Sequence, residues 1–124
     1  MVILGVGVDM VSVTRLRRIV ARSPRFCRRV YHENELTQTA NRPERLAARF
    51  AAKEAWLKAM GLPLFSTPLT DIRVQLDPSG KPNLVLTGAA LALSRKRGVT
   101  RCHVSLSHTD TDAIAVVVLE GEGS

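Results

Sequence analysis

The stretch RFAAKEAWLKAM, residues 49–60, limits the fold of this chain more than any other segment. It is made of strong helix formers, and Pro43 and Gly61 suit the first turn and the end of a helix over residues 43–60. At about 100° per residue, an apolar stripe forms on one side and alanines cover most of the remainder. The stripe contains Leu46, Phe50, Leu57 and Met60, with Trp56 at its edge and Lys53 inside it; the alanines are Ala47, Ala48, Ala51, Ala52, Ala55 and Ala59. A helix covered nearly all round is predicted to be the central helix of its domain.

Two charged residues of this helix, Glu54 and Lys58, lie one turn apart at the border between the stripe and the alanines. On an exposed surface they would form a simple pair worth a few tenths of a kcal/mol. The alanine flank instead predicts close packing, where an unpaired charge is costly. The helix alone leaves a structural pair and a functional pair as equal alternatives.

The remaining pattern predicts one domain over residues 1–124, of the α+β class with a small, mainly antiparallel sheet. Strands are expected at 2–13, 71–76 and 83–86, and at TRCHVSLSH and AIAVVVLE, which TDTD joins as a hairpin; further helices are expected from Ser12 or Thr14 to Arg22, near His32, and from Thr87 to Arg97. No apolar run is long enough to span a bilayer, and the start lacks the features of a signal peptide. We therefore expect a cytoplasmic protein without a membrane partner.

In the first strand, Gly5 and Gly7 share one face with Asp9, because side chains alternate along a strand. Bare backbone beside a carboxylate leaves room for a bulky ligand to approach. The alternative is that the glycines mark a bulge or a packing site and Asp9 is a local cap.

A second candidate group combines this strand with later residues. Asp9 and Glu54 are hard oxygen ligands suited to Mg²⁺, which takes one or two carboxylates together with substrate phosphates. Lys58 is placed to meet a phosphate. His108 ends the apolar row of the TRCHVSLSH strand, where a structural role is the alternative to a functional one.

Charge is concentrated near the start of the chain. The net charge is +7, and seven arginines lie between residues 15 and 29 with no acid among them. Such a face attracts an acidic partner, which leaves an acidic protein, nucleic acid and an anionic membrane as candidates. A nucleic-acid-binding module built on Arg15–Arg29 is the main alternative function, although only 4% aromatic residues offer little base stacking.

Three stretches, GVGVDMVSVTRLRR, RFAAKEAWLKA and HVSLSHT, occur in an order and spacing that resembles the short, bacterial-type holo-acyl-carrier-protein synthases, a class of 4′-phosphopantetheinyl transferases. The resemblance runs from about Ile3 to Leu119. It implies Mg²⁺-dependent transfer of 4′-phosphopantetheine from coenzyme A to a serine of an apo acyl carrier protein, in support of fatty acid or polyketide biosynthesis. Mn²⁺ is the alternative metal. The resemblance also implies a homotrimer with each active site between two subunits.

The resemblance assigns roles to individual positions. The metal-binding carboxylates fall on Asp9 and Glu54, the phosphate-contacting lysine on Lys58 and the active-site histidine on His108. The turn near the nucleotide end of coenzyme A falls on Gly80, Lys81 and Pro82, and the carrier-protein surface on Arg15, Ile19, Arg22, Arg25, Phe26 and Phe50. The base for the serine proton is Glu54, directly or through a metal-bound water, with His108 as the alternative.

Two departures from the family pattern limit what the resemblance implies. The loop GLPLFSTPLTDIRV replaces a glycine-rich loop of many relatives, so its contacts do not carry over. Val11 stands where larger transferases have a further acid, so we expect water rather than a third protein carboxylate on the metal.

Overall fold

The computed structural model describes residues 1–122, which contain five strands and five α-helices. In chain order these are β1 (Val2–Ser12), α1 (Val13–Arg22), α2 (Pro24–Val30), α3 (Glu33–Thr39), α4 (Pro43–Met60), β2 (Ile72–Leu76), β3 (Pro82–Leu86), α5 (Gly88–Lys96), β4 (Val99–His108) and β5 (Asp112–Gly121), with a short 3₁₀ helix at Leu69–Asp71 before β2. The predicted α+β class and the bounds of the long helix are confirmed.

The strands form two antiparallel sheets. One has the order β1-β5-β4, with a bulge between Ile3 and Gly5, and the other is the β2-β3 hairpin. The predicted hairpin of the last two strands is confirmed, since β4 pairs with β5 over nearly its whole length. The prediction of a mainly antiparallel sheet is correct, but the strands divide between two sheets.

Helix α4 lies against β1 and β5, and its apolar residues are buried on nearly every side. A Cβ atom added at Gly5 would overlap the carbonyl oxygen of Ala59, and one added at Gly7 would overlap that of Ala55. The expectation that the bare backbone admits a ligand is therefore wrong. The glycines admit the helix, and the packing-site alternative is correct.

The contact between β1 and α4 repeats with a matched period. Two residues of a strand span about 6.6 Å along its axis, and four residues of a helix span about 6 Å. The backbone of Gly5 therefore packs against Ala59, and two residues later that of Gly7 packs against Ala55, one helical turn away. Asp9 is the next residue of the strand on this face. The same close packing therefore carries its carboxylate to the flank of α4.

The arginine-rich segment folds as two helices. Ser12 caps α1 by accepting a hydrogen bond from the Arg15 backbone N–H, which confirms one of the two predicted caps. The predicted interruption at Ser23 and Pro24 is correct, yet a second helix, α2, begins there and was missed. Ser23 caps α2 and Pro24 occupies its first turn, where the missing N–H of proline costs nothing.

On the face of the three-stranded sheet opposite α4, the part formed by β1 and β5 is apolar and exposed. Side chains alternate along β5, so Ala115 and Val117 are buried under the helix, while Val116 between them points outward. The outward side chains of β1 and β5 are Val6, Val8, Met10, Ile114 and Val116. We call these five residues the outer face. Within residues 1–122, no helix combines the length and the apolar character needed to cross a bilayer.

Candidate functional site

The packing of α4 on β1 brings together Asp9, Glu54 and Lys58. The Lys58 ammonium donates a hydrogen bond of 2.7 Å to Oδ1 of Asp9 and one of 3.2 Å to the carbonyl of Val8. The Asp9 side chain is only 9% exposed, whereas that of Lys58 is 55% exposed. Lys58 therefore reaches inward from solvent to a carboxylate at the helix–strand interface.

The environment of Glu54 disfavours its ionisation. Burial raises the pKa of Glu54 to about 7, and the neighbouring Asp9 carboxylate adds to this rise, while the charge of Lys58 opposes it. The hydrogen bond to Asp9 is the main reason that the pKa of Lys58 is raised. A site in which one carboxyl resists ionisation beside another favours an additional cation.

The residues present fit a magnesium ion. Oδ2 of Asp9 is buried and has no hydrogen-bond partner among the described residues, so one acceptor is free for a ligand. Asp9 and Glu54 supply the oxygen donors that Mg²⁺ prefers. In the part of the chain that the structure describes, no group of three or more acidic, histidine or cysteine side chains could hold a metal.

A groove of about 320 Å³ begins at Glu54 and runs between α1, α2 and α4. Its lining includes four residues predicted for the carrier-protein surface: Arg15, Ile19, Phe26 and Phe50. The rings of Phe26 and Phe50 meet edge to face, with centroids 5.4 Å apart. Arg25 adjoins Phe26 in a neighbouring depression, and Arg22 is exposed in the last turn of α1.

His108 lies elsewhere in the chain. It lines a separate cavity with Gln38, Arg45 and Arg49, and its strand is separated from β1 by β5. The turn that contains Gly80, Lys81 and Pro82 joins β2 to β3, and Leu76 at the start of this turn also lines the His108 cavity. The predicted site residues therefore form two groups, with the carboxylates and Lys58 in one and His108 in the other.

Several lining residues were missed in the sequence. Arg45 and Arg49 lie one turn apart on α4 and place two positive charges beside His108; their helical spacing was a usable signal. Leu64 and Phe65 complete the groove at Glu54. Periodicity gives no information about these two residues, because they belong to an irregular loop.

Comparison with known proteins shows the family of this chain. The family model described as the 4′-phosphopantetheinyl transferase superfamily matches residues 5–117. The holo-[acyl-carrier-protein] synthase of Syntrophus aciditrophicus is 44% identical over 122 residues, covering 94% of this chain and 95% of that protein.

Solved structures give the same result. The holo-(acyl-carrier-protein) synthase of Bacillus anthracis, in complex with CoA (3′,5′-ADP), matches with a TM-score of 0.79 and 32% identity over 97% of this chain and 98% of that one. The Helicobacter pylori enzyme in complex with coenzyme A matches with a TM-score of 0.84 and 27% identity over 93% of this chain and 99% of that one. The chain therefore belongs to the 4′-phosphopantetheinyl transferase superfamily, as one of its holo-[acyl-carrier-protein] synthases.

Proposed function

We propose that this protein transfers 4′-phosphopantetheine from coenzyme A to a serine of an apo acyl carrier protein and releases adenosine 3′,5′-bisphosphate. One observation carries the proposal. Asp9, Glu54 and Lys58 meet at the end of a groove that the arginine-rich helices border. The site thus places residues that can bind a pyrophosphate next to a surface that can bind an acidic protein. Such a reaction supplies carriers for fatty acid or polyketide synthesis.

Asp9 and Glu54 are the proposed ligands of Mg²⁺, with Mn²⁺ as the alternative. The unpartnered Oδ2 of Asp9 and the raised pKa of Glu54 support this assignment. When bound, the ion would neutralise negative charge on the pyrophosphate, as metal ions do in phosphoryl transfer generally.

In the proposed step, the carrier serine oxygen forms a bond to the phosphorus that bears pantetheine. The bond from this phosphorus to the bridging oxygen breaks, and adenosine 3′,5′-bisphosphate leaves. Lys58, which is largely exposed and fully charged at neutral pH, is placed to stabilise the leaving phosphate. Glu54, directly or through a bound water, is the proposed acceptor of the serine proton. His108 is the alternative base.

The carrier protein is proposed to dock on Arg15, Ile19, Arg22, Arg25, Phe26 and Phe50. Exposed arginines on α1 and α2 surround the aromatic floor of the groove. Opposite charges on the partner would mainly raise the association rate and fix its orientation. Apolar contacts with the two phenylalanines would supply affinity.

The functional assembly is proposed to be a homotrimer. The outer face exposes large apolar side chains, with Met10 at 66% and Val6 at 60% exposure, and a contiguous apolar patch of this kind marks an interface. Because His108 lies apart from Asp9 in its own chain, it is proposed to join the carboxylates of a neighbouring subunit. His108 would then contact coenzyme A, together with Gly80, Lys81 and Pro82.

The decisive experiment is mass spectrometry of a purified apo acyl carrier protein incubated with this protein, coenzyme A and Mg²⁺. We expect a mass gain of one phosphopantetheine that disappears with EDTA. Absence of any gain while the protein still binds coenzyme A would point to a different carrier. Absence of both transfer and coenzyme A binding would contradict the proposed function.

A further inference from the structure

The loop between α4 and the 3₁₀ helix contains a strained residue. Phe65 has a φ of +63°, in the left-handed region that side chains other than glycine rarely adopt. A bulky residue remains in this conformation only when its surroundings hold it there. Its aromatic ring is nevertheless not buried in the core, since Phe65 is 39% exposed. The backbone strain thus presents an aromatic ring at the surface.

A single side chain holds this ring from the side of α2. The guanidinium of Arg29 lies over the face of the Phe65 ring, with Cζ 4.6 Å from the ring centroid. This is the geometry of a cation–π contact. Arg29 is one of the seven arginines between residues 15 and 29. It is exposed, and its guanidinium also contacts the Phe65 ring of the loop.

The position of Phe65 relates it to the carrier side of the groove. Phe65 lines the groove that reaches Glu54 and also the depression formed with Ser23, Arg25 and Phe26. Its neighbour Leu64 lines the same groove and, in addition, a small cavity with Glu54 and Lys58. Phe65 therefore extends the groove toward the arginines, and Leu64 extends it toward the phosphate-binding residues.

We infer that Phe65 is a specificity-determining contact for the carrier protein, held in place by Arg29 as a positioning residue. This inference rests on the proposed function. The occupant that fits is an apolar side chain on an acidic surface of the carrier, because the exposed ring stands among arginines. An aromatic anchor surrounded by charge is the usual composition of a binding hot spot.

The test is steady-state kinetics of Phe65→Ala with apo acyl carrier protein, coenzyme A and Mg²⁺. We expect the KM for the carrier to rise at least about fivefold, while kcat and the KM for coenzyme A stay within about twofold of the wild type. Phe65→Leu should retain most of the carrier affinity. Phe65→Gly, which relieves the backbone strain, should match Phe65→Ala in carrier KM and be more stable to heat. An unchanged carrier KM in Phe65→Ala, or an equal rise in both KM values, would overturn the inference.

A double-mutant cycle tests the role of Arg29. Arg29→Ala should raise the carrier KM when it is introduced into the wild-type protein. It should have little further effect in the Phe65→Ala background, because the ring that Arg29 positions is absent there. Arg28→Ala, which removes the same charge from an exposed neighbouring position, is the matched control and should act equally in both backgrounds. Full additivity of Arg29→Ala and Phe65→Ala would exclude the positioning role. If the wild type neither transfers phosphopantetheine nor binds coenzyme A, the proposed function fails; an active wild type with a normal Phe65→Ala variant refutes only this inference.

Discussion

Lys53 donates a hydrogen bond of 2.6 Å to Oε1 of Glu35, and neither side chain reaches solvent. The Lys53 ammonium also donates to the carbonyls of Val30 and Leu69, and Oε2 of Glu35 accepts from the backbone N–H of Val74. The pair therefore ties α4 to α2, α3, the 3₁₀ helix and β2. Because Glu54 follows Lys53 directly, this anchor also fixes the rotation of α4 that directs Glu54 toward Asp9.

Replacing Lys53 with methionine should destabilise the protein strongly. The change leaves the buried Glu35 carboxylate with only the more distant Arg49 guanidinium, 3.8 Å from Oε2, as its counter-ion, and loss of the ammonium costs up to about 3–5 kcal/mol. Urea unfolding followed by circular dichroism measures the loss. The double variant Glu35→Gln/Lys53→Met should recover at least about 1 kcal/mol, since the carboxylate that lost its ammonium is gone. A loss below about 1 kcal/mol in the single variant would show that the pair is not buried as described.

Gly7→Ala should disturb the site through the backbone. Its Cβ would overlap the carbonyl oxygen of Ala55, and a helix backbone cannot move aside as a flexible side chain can. We expect a loss of about 2 kcal/mol or more, together with a fall in kcat because Asp9 and Glu54 move apart.

Gly61→Ala is the matched control for this change. Gly61 has a φ of +71° and open space around it, so alanine there should cost about 1 kcal/mol of backbone strain and leave kcat unchanged. Equal effects of the two substitutions on kcat would argue against the close contact between β1 and α4.

Asp9→Asn and Glu54→Gln should each abolish transfer while preserving the fold. Glu54→Gln removes the carboxyl whose ionisation is disfavoured, so this variant should be at least as stable as the wild type without metal. Asp9→Asn loses the ion pair with Lys58, whose partly exposed position limits the cost to about 1 kcal/mol or less. Differential scanning calorimetry in EDTA checks the stability, and the shift in Tm on adding Mg²⁺ checks metal binding. We expect the shift in the wild type and its loss in both variants. Full activity in either variant would refute the metal assignment.

Mixing Asp9→Asn with His108→Ala, which should each lack transfer activity if both residues belong to the site, tests whether the proposed site lies between two subunits. Asp9→Asn keeps His108, and His108→Ala keeps Asp9. If each site takes these residues from different subunits, mixed trimers formed by refolding an equal mixture should regain about a quarter of the intact sites. As the control, the two variants are folded separately and then mixed under conditions in which subunits do not exchange. This mixture should stay inactive. Failure of exchanged trimers, verified by native mass spectrometry, to regain activity would place both residues in one subunit's site.

Much of the fold could be predicted from local pattern. The bounds of α4 followed from Pro43, Gly61 and the helix formers between them, and the last two strands followed from alternation around a turn. These signals are short-range, because helix ends and hairpins depend on hydrogen bonds between near neighbours in sequence. Helix α2 was missed because Pro24 marks both the end of one helix and the first turn of another.

The sequence by itself determined which residues we propose to carry the chemistry. Asp9, Glu54 and Lys58 stood out by their type, by their spacing and by a family resemblance that the comparisons bear out. Only the tertiary structure decided that Gly5 and Gly7 receive a helix rather than a ligand, that Lys58 bonds to a carboxylate 49 residues away, and that His108 lies in a different cavity. The physical reason is that these relations arise where elements distant in sequence pack together, and packing depends on the shape of both surfaces rather than on the pattern of either one.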